Sequence, residues 1–105
     1  MRAYEIYIAL VSWETGGKRR PVLFLEEDNG YARIFSITTQ YENKSNAIKA
    51  GYFAILDWEQ SGLSKASYID TIEKIRLPLA AFSSTIPIGK LTASDLQRLF
   101  DFLTV

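Results

Sequence analysis

Apolar residues alternate with polar ones, or run together, in five short segments of this chain, and turn-forming residues bound each segment. Branched and aromatic side chains dominate these segments, which is typical of β-strands. We therefore predict strands over Tyr4–Val11, Val22–Leu25, Tyr31–Thr39, Tyr52–Leu56 and Ser67–Ile75. The unbroken apolar run of the second segment favours a strand that is buried on both faces.

The segments between the strands carry turn and loop signals. Asn29-Gly30 predicts a tight hairpin, because both residues accept positive φ angles. Ser12–Arg19, with its glycine pair, is predicted to be a mobile loop, and Pro21 the first residue of the following strand, because proline has no N–H to donate to a ladder. Loops are also predicted over 40–51, with a short helical turn near 46–48, and over 57–65.

The end of the chain predicts a helix. Leu96, Leu99, Phe100 and Leu103 fall at the i, i+3, i+4 and i+7 spacing of one helix face. Thr92 lies three residues before Asp95, which is the spacing of a capping box with aspartate in place of glutamate. About five strands and one terminal helix predict a mainly β domain over residues 1–105, built as a small, strongly bent antiparallel sheet or barrel.

Composition narrows the chemistry. Twelve cations balance twelve anions, and there is no cysteine and no histidine. A zinc–thiolate site, a thiolate nucleophile and a histidine acid–base pair are thereby excluded. The N-terminus lacks the apolar core of a signal peptide, and no apolar run approaches the roughly 18 residues that span a bilayer. These features favour a protein of the cytoplasm, without a membrane partner.

The run Lys18-Arg19-Arg20 is the strongest candidate for function. A solvated charge run is the competing interpretation. Arg20 differs from its neighbours because Pro21 ties its backbone to a strand, and a guanidinium can bind phosphate oxygens in a bidentate manner. Thr38 and Thr39 end the next strand, and the hairpin connection would bring one hydroxyl near Arg20. Plain β-propensity also explains both threonines.

Three aromatic residues in predicted loops and three carboxylates carry weaker signals. Trp13, Tyr41 and Trp58 either pack against the core or stack on unpaired bases, with core packing favoured. Asp57, Glu59 and Asp70 lack the spacing of a calcium loop, so a solvated acidic loop is favoured over a cation site.

Several motifs, in chain order, resemble those of the MazF/PemK (Kid-like) toxins of bacterial type II toxin–antitoxin systems. The first, 17–23, is similar to the family's Gly-x-Arg-Pro signature, and the second is a threonine-containing strand end. The third motif is an Asp-Trp…Gly-Leu-x-Lys-x-Ser pattern, and the fourth is a closing segment before the final helix. The matching stretches are Gly17–Leu23, Ile37–Gln40, Asp57–Ile69 and Ile88–Leu91.

The resemblance implies an SH3-like barrel of the CcdB/MazF type, with about five to seven strands, that forms a homodimer. It implies a cofactor-free and metal-independent endoribonuclease that cuts single-stranded mRNA to a 2′,3′-cyclic phosphate and a 5′-hydroxyl. Arg20 matches the family's catalytic arginine and Thr38 its catalytic hydroxyl, with Glu14 as an auxiliary residue. The RNA-binding residues would be Lys18, Arg19, Thr39, Gln40 and Tyr41, and an antitoxin with an acidic C-terminal segment would cover them.

Two alternatives remain open at the level of sequence. One is a non-catalytic toxin on the same scaffold that acts on DNA gyrase, although the C-terminus 100–105 does not resemble that of such toxins. The other is an SH3-like binding module in which Arg20 pairs with a carboxylate of a partner protein.

Overall fold

A computed structural model describes residues 1–13, 16–82 and 85–104, with the side chain of Trp13 outside the description. It is a mainly β structure with a C-terminal helix. The elements are β1 (Glu5–Trp13), β2 (Gly16–Asp28), β3 (Tyr31–Thr38), α1 (Asn46–Lys49), β4 (Tyr52–Ile55), β5 (Ser67–Pro78), a 3₁₀ turn (Leu79–Phe82), β6 (Gly89–Lys90) and α2 (Ala93–Leu103). Within those residues, no helix is both long and apolar enough to cross a membrane.

The described strands form one antiparallel sheet of six strands in the order β4-β5-β3-β2-β1-β6. The sheet curls into a half-barrel, because two of its ladders shift register. In the β3–β5 pair, the four residues 71–74 lie opposite the single residue Phe35, which bends β5 sharply. A small bent antiparallel sheet was the expectation from the strand pattern, and the sheet agrees with it.

Both faces of the sheet are covered by apolar residues. On one face, Leu23, Phe35 and Ile69 form a core with Leu99 of α2. On the other, Val22, Phe24 and Ile34 pack with Phe82 of the 3₁₀ turn, so the prediction that β2 is buried on both sides is confirmed. The hairpin is also confirmed, since Asn29 and Gly30 have φ angles of 51° and 84° between the paired ends of β2 and β3.

The predicted loop over Ser12–Arg19 is wrong for its described residues. Ser12 pairs with Gly17 and Trp13 with Gly16, so β1 and β2 continue as a long two-stranded arm. Pro21 is accordingly inside β2 and not its first residue. It is tolerated there because the β3 partner ends at the Val22–Ser36 pair, which leaves one side of β2 unpaired at this point.

The predicted helix exists, but it is rotated from the predicted face. Leu99 is fully buried and Phe102 packs against the core, whereas Phe100 and Leu103 are exposed. The cause is Asp95, a fully buried carboxylate that takes the place of an apolar residue on the inner face. Thr92 accepts from the Asp95 N–H as expected of a cap. The carboxylate itself accepts from the N–H groups of Leu56 and Asp57, and it thereby fastens α2 to the end of β4.

Candidate functional site

A cleft of about 290 Å³ opens on the face of the sheet that carries Ser36, Asp70 and Tyr52. Six of the residues predicted from the sequence line it: Lys18, Arg19, Arg20, Thr38, Thr39 and Gln40. Five other polar residues, which the sequence did not single out for this site, also line it: Ser36, Lys44, Tyr52, Ser67 and Asp70. Segments far apart in the chain therefore converge on one surface.

Cross-strand pairing explains this convergence. Val22, Ser36, Asp70 and Tyr52 are successive partners across β2, β3, β5 and β4, so their side chains stand in one row on one face of the sheet. Along the row the side chains change from a buried valine to polar groups. The apolar core therefore ends at Val22, and the cleft begins beside it.

A bulge in β2 decides which threonine faces Arg20. At the hairpin, Asp28 pairs with Tyr31, and this register would place Arg20 opposite Thr39. The ladder shifts by one residue between Phe24 and Glu26, and Val22 pairs with Ser36. The ladder ends at that pair, and Arg20 and Thr38 each lie two residues beyond it, so their side chains point to the same face of the sheet as Val22 and Ser36. A slip of one residue turns a side chain to the other face, so the bulge brings Arg20 and Thr38 to the same side.

Arg20 has no protein partner within the described part of the chain. Its Nε atom is buried and makes no hydrogen bond, and none of its guanidinium nitrogens forms an ion pair there. A buried donor without an acceptor costs about 1–3 kcal/mol, and more when the group is charged. An oxygen of a ligand in the cleft can accept the hydrogen bond that this group does not make within the protein.

The charges in the lining favour an anionic ligand. Lys18, Arg19, Arg20 and Lys44 contribute four cations, against the one carboxylate of Asp70. None of these cations forms an ion pair with a described residue. The neutral net charge of the chain therefore conceals a cationic cleft, and local charge is what determines the binding of a phosphate.

Thr38 is held in a defined rotamer by its own backbone. Its Oγ1 accepts a hydrogen bond of 3.0 Å from the N–H of Gln40. Because a hydroxyl has one donor and two acceptor positions, this bond leaves the O–H free to donate. The side chain can therefore donate to the ligand that Arg20 binds.

Tyr41 lies outside the lining of the cleft. Its ring stacks on Tyr68, with 4.2 Å between centroids, and the ammonium of Lys49 lies 4.9 Å from its centroid. A stacked ring leaves no room for an ammonium on the same face, so both faces of Tyr41 are covered. Packing explains this residue, as it does Trp58, which packs against the core. Glu14 falls outside the described residues.

Sequence patterns did not single out Tyr52, and they grouped Asp70 only with Asp57 and Glu59, because nothing local connects Asp70 or Tyr52 with Arg20. Asp70 belongs to β5 and not to an acidic loop, and the Asp57 carboxylate instead accepts a hydrogen bond of 2.7 Å from the Thr92 hydroxyl. Burial raises the pKa of Tyr52, the charge of Asp70 raises it further, and the charge of Arg20 lowers it. The Tyr52 hydroxyl is therefore close enough to both Asp70 and Arg20 for their charges to act on it.

Comparison with known proteins gives no assignment. No protein-family model matches the chain, and no curated protein matches it. A function for the cleft therefore has to be argued from its own residues: an unpartnered arginine, a free hydroxyl, a surplus of cations and one carboxylate.

Proposed function

We propose that this protein is an endoribonuclease that cleaves single-stranded RNA, and that it acts as the toxin of a type II toxin–antitoxin system. The observation that carries the proposal is the buried, unpartnered Nε of Arg20 in a cationic cleft that also contains Thr38. The likeness of 17–23 and 37–40 to the MazF/PemK signatures supports it. The curled sheet would then be a barrel of the CcdB/MazF type.

The cleft has the groups that this reaction needs. Attack of a ribose 2′-hydroxyl on the adjacent phosphorus places additional negative charge on the phosphoryl oxygens. Arg20 and the free O–H of Thr38 would stabilise that charge where it develops, which is the role of preorganised donors in phosphoryl transfer. Because protein cations supply this stabilisation, the reaction would proceed without a metal or a cofactor.

Asp70 would take the proton of the attacking 2′-hydroxyl. It is the one carboxylate in the described lining, and arginine holds its proton too tightly to serve as a base. The new bond joins the 2′-oxygen to phosphorus, and the bond to the 5′-oxygen breaks. The products are a 2′,3′-cyclic phosphate and a 5′-hydroxyl.

The proposal extends to partners and location. Lys18, Arg19 and Lys44 would attract the backbone of the RNA, and an antitoxin with an acidic C-terminal segment would occupy the same cationic surface. Cleavage of mRNA in the cytoplasm would inhibit translation and growth. The active form would be a homodimer.

The direct test incubates the purified protein with labelled single-stranded RNA in EDTA and determines the chemistry of the new ends. The proposal expects cleavage in EDTA, with 2′,3′-cyclic phosphate and 5′-hydroxyl ends. Intact RNA, together with inhibition of gyrase in a supercoiling assay, would instead indicate a gyrase toxin on this scaffold. Intact RNA and unaffected gyrase would leave a binding module whose cleft receives a partner carboxylate.

A further inference from the structure

Tyr52 stands directly across the β4–β5 ladder from Asp70, and both side chains line the cleft. Directly opposed residues in antiparallel strands have Cβ atoms about 4.5–5.5 Å apart, and both strands belong to one sheet. The phenol and the carboxylate are therefore held on a rigid element, side by side, and at the edge of the space that would receive the phosphate.

The Tyr52 hydroxyl has no hydrogen-bond partner among the described residues, although its neighbours include charged groups. A tyrosine hydroxyl is protonated at neutral pH, and burial and the charge of Asp70, which raise the pKa of Tyr52, favour the protonated form further. The Tyr7 hydroxyl, by contrast, donates to Glu5. The ring of Tyr52 contacts the ring of Tyr41, with 6.4 Å between centroids, but no hydrogen bond occupies its hydroxyl within the described part of the chain. The Tyr52 hydroxyl is therefore a protonated donor that can donate to a ligand in the cleft.

Transesterification of RNA requires two proton transfers. One removes the proton of the 2′-hydroxyl, and the other supplies a proton to the departing 5′-oxygen, which would otherwise leave as a strongly basic alkoxide. Asp70 can serve the first step but not the second in its ionised form. Arg20 holds its proton too tightly to give it up. Lys18 lies on the exposed arm of β1 and β2, and Lys44 lies in the turn before α1, so neither is fixed beside Asp70 as Tyr52 is.

We propose that Tyr52 is the general acid of this reaction and protonates the 5′-oxygen leaving group. The inference rests on the proposed ribonuclease function. As the bond from phosphorus to the 5′-oxygen breaks, its electron pair goes to that oxygen, and the phenolic proton of Tyr52 passes to it. The resulting phenolate recovers a proton from the protonated Asp70 carboxyl, directly or through water, and the cleft returns to its starting state.

The test uses two oligonucleotides that span a cleavage site mapped with the wild-type protein. One has the natural 5′-oxygen at that site, and the other has a 5′-sulfur leaving group, which departs as a weakly basic thiolate and needs no acid. Tyr52→Phe should slow cleavage of the oxygen substrate about 10²- to 10⁴-fold, the usual contribution of a general acid. It should cleave the sulfur substrate at close to the wild-type rate.

Tyr68→Phe is the matched control. Tyr68 lies near Tyr52 but outside the cleft lining, and the substitution removes only its hydroxyl and keeps the ring that stacks on Tyr41. It should cleave both substrates like wild type. An equal loss of rate on both substrates in Tyr52→Phe, or no loss on either, would overturn the acid role. A selective loss on the oxygen substrate in Lys44→Met, with Tyr52→Phe unaffected, would give the role to Lys44. If wild-type protein cleaves no RNA at all, the ribonuclease proposal itself fails, which is a distinguishable result.

Discussion

Arg20 and Thr38 lie on the same face of the sheet and line one cleft, and they share that face because β2 contains one more residue than β3 between them and the hairpin. The extra residue is Leu25, which has no partner in the β2–β3 ladder. Without this bulge, the register set at the Asp28–Tyr31 pair would place Thr39 opposite Arg20. Which of the two threonine side chains shares a face with the Arg20 guanidinium thus depends on a local irregularity of the strand.

The bulge predicts that the two adjacent threonines are not equivalent. Thr38→Val removes the hydroxyl that shares a face with Arg20, so we expect kcat for RNA cleavage to fall about 10²-fold or more. Thr39→Val should reduce kcat by a clearly smaller factor. Single-turnover cleavage rates of the two variants measure the difference, and an equal loss, or a larger loss in Thr39→Val, would contradict the register argument.

The unpartnered Arg20 predicts that an oxyanion stabilises the fold. Sulfate at ten times its dissociation constant would contribute about 1.4 kcal/mol, which corresponds to a Tm increase of roughly 5 °C or more for a domain of this size. Arg20→Met should lose this response, because the cleft then lacks its buried donor. Thermal unfolding in sulfate, compared with chloride at equal ionic strength, measures the effect.

Arg33→Met provides the matched control for that measurement. Arg33 also carries a guanidinium, but it donates to Asp28 at 2.8 Å and lies outside the cleft lining. Its variant should retain the full response to sulfate. The same loss of response in both variants would show that sulfate acts on general surface charge and not at Arg20.

The sequence predicted the positions of strands and of the hairpin better than it predicted which side chains meet in the cleft. Strand composition located β3 and β4 nearly to the residue, and Asn29-Gly30 located the hairpin, because these signals are local. The bulge at Leu25 has no local signal, since any apolar residue can occupy it. The position of Asp70 opposite Tyr52 depends on β4–β5 pairing between segments joined by a long loop, so pattern alone could not place either residue in the cleft.

At the glycine pair Gly16-Gly17 the local sequence signal was strong but the prediction was wrong, because strand pairing overrides it. Glycines typically mark a loop, but here both are paired with β1. A Cβ atom on Gly17 would approach the Cα of Ser12 to 3.2 Å, so close packing of the two strands favours glycine at this position. The consequence is that Lys18 and Arg19 are presented by an extended strand and not by a flexible loop.

Asp95 should be the most sensitive polar residue of the fold. It is fully buried, accepts from two backbone N–H groups of 56–57, and receives the Arg98 guanidinium at 2.7 Å. Asp95→Ala leaves the two N–H groups without an acceptor and removes the ionic partner of Arg98, which keeps only the Ala54 carbonyl at 3.1 Å, so we expect a loss of about 3–5 kcal/mol in the free energy of unfolding. Asp101→Ala, on the exposed side of the same helix, should change it by less than about 0.5 kcal/mol. Urea unfolding of both variants checks the contrast, which similar losses would contradict.

Tyr7 should make the fold sensitive to alkaline pH. Burial, and then the hydrogen bond of 2.8 Å to Glu5, raise the pKa of its hydroxyl to about 12. Above pH 10 the unfolded chain releases this proton while the folded chain retains it until about pH 12. The free energy of unfolding should therefore fall in this window, by at most about 1.4 kcal/mol per pH unit from this group.

Tyr7→Phe isolates that contribution, because it keeps the ring that contacts Phe82 and removes the ionisable group. Urea unfolding between pH 9 and 12 should show that the free energy of unfolding falls less steeply with pH in the variant than in wild type. Below pH 10 the two proteins should show the same dependence on pH, because Tyr7 does not ionise there. Parallel declines would show that Tyr7 is not the titrating group.

The most direct test of the central claim is the rate at which Arg20→Ala cleaves single-stranded RNA in EDTA, measured beside wild type and Arg19→Ala. Arg19 is an exposed neighbour whose charge attracts the backbone, so its variant should lose less than about tenfold. If Arg20 stabilises the charge of the transition state, its variant should lose about 10³-fold or more and still show the thermal unfolding of a folded protein. Cleavage at the wild-type rate by folded Arg20→Ala would contradict the account.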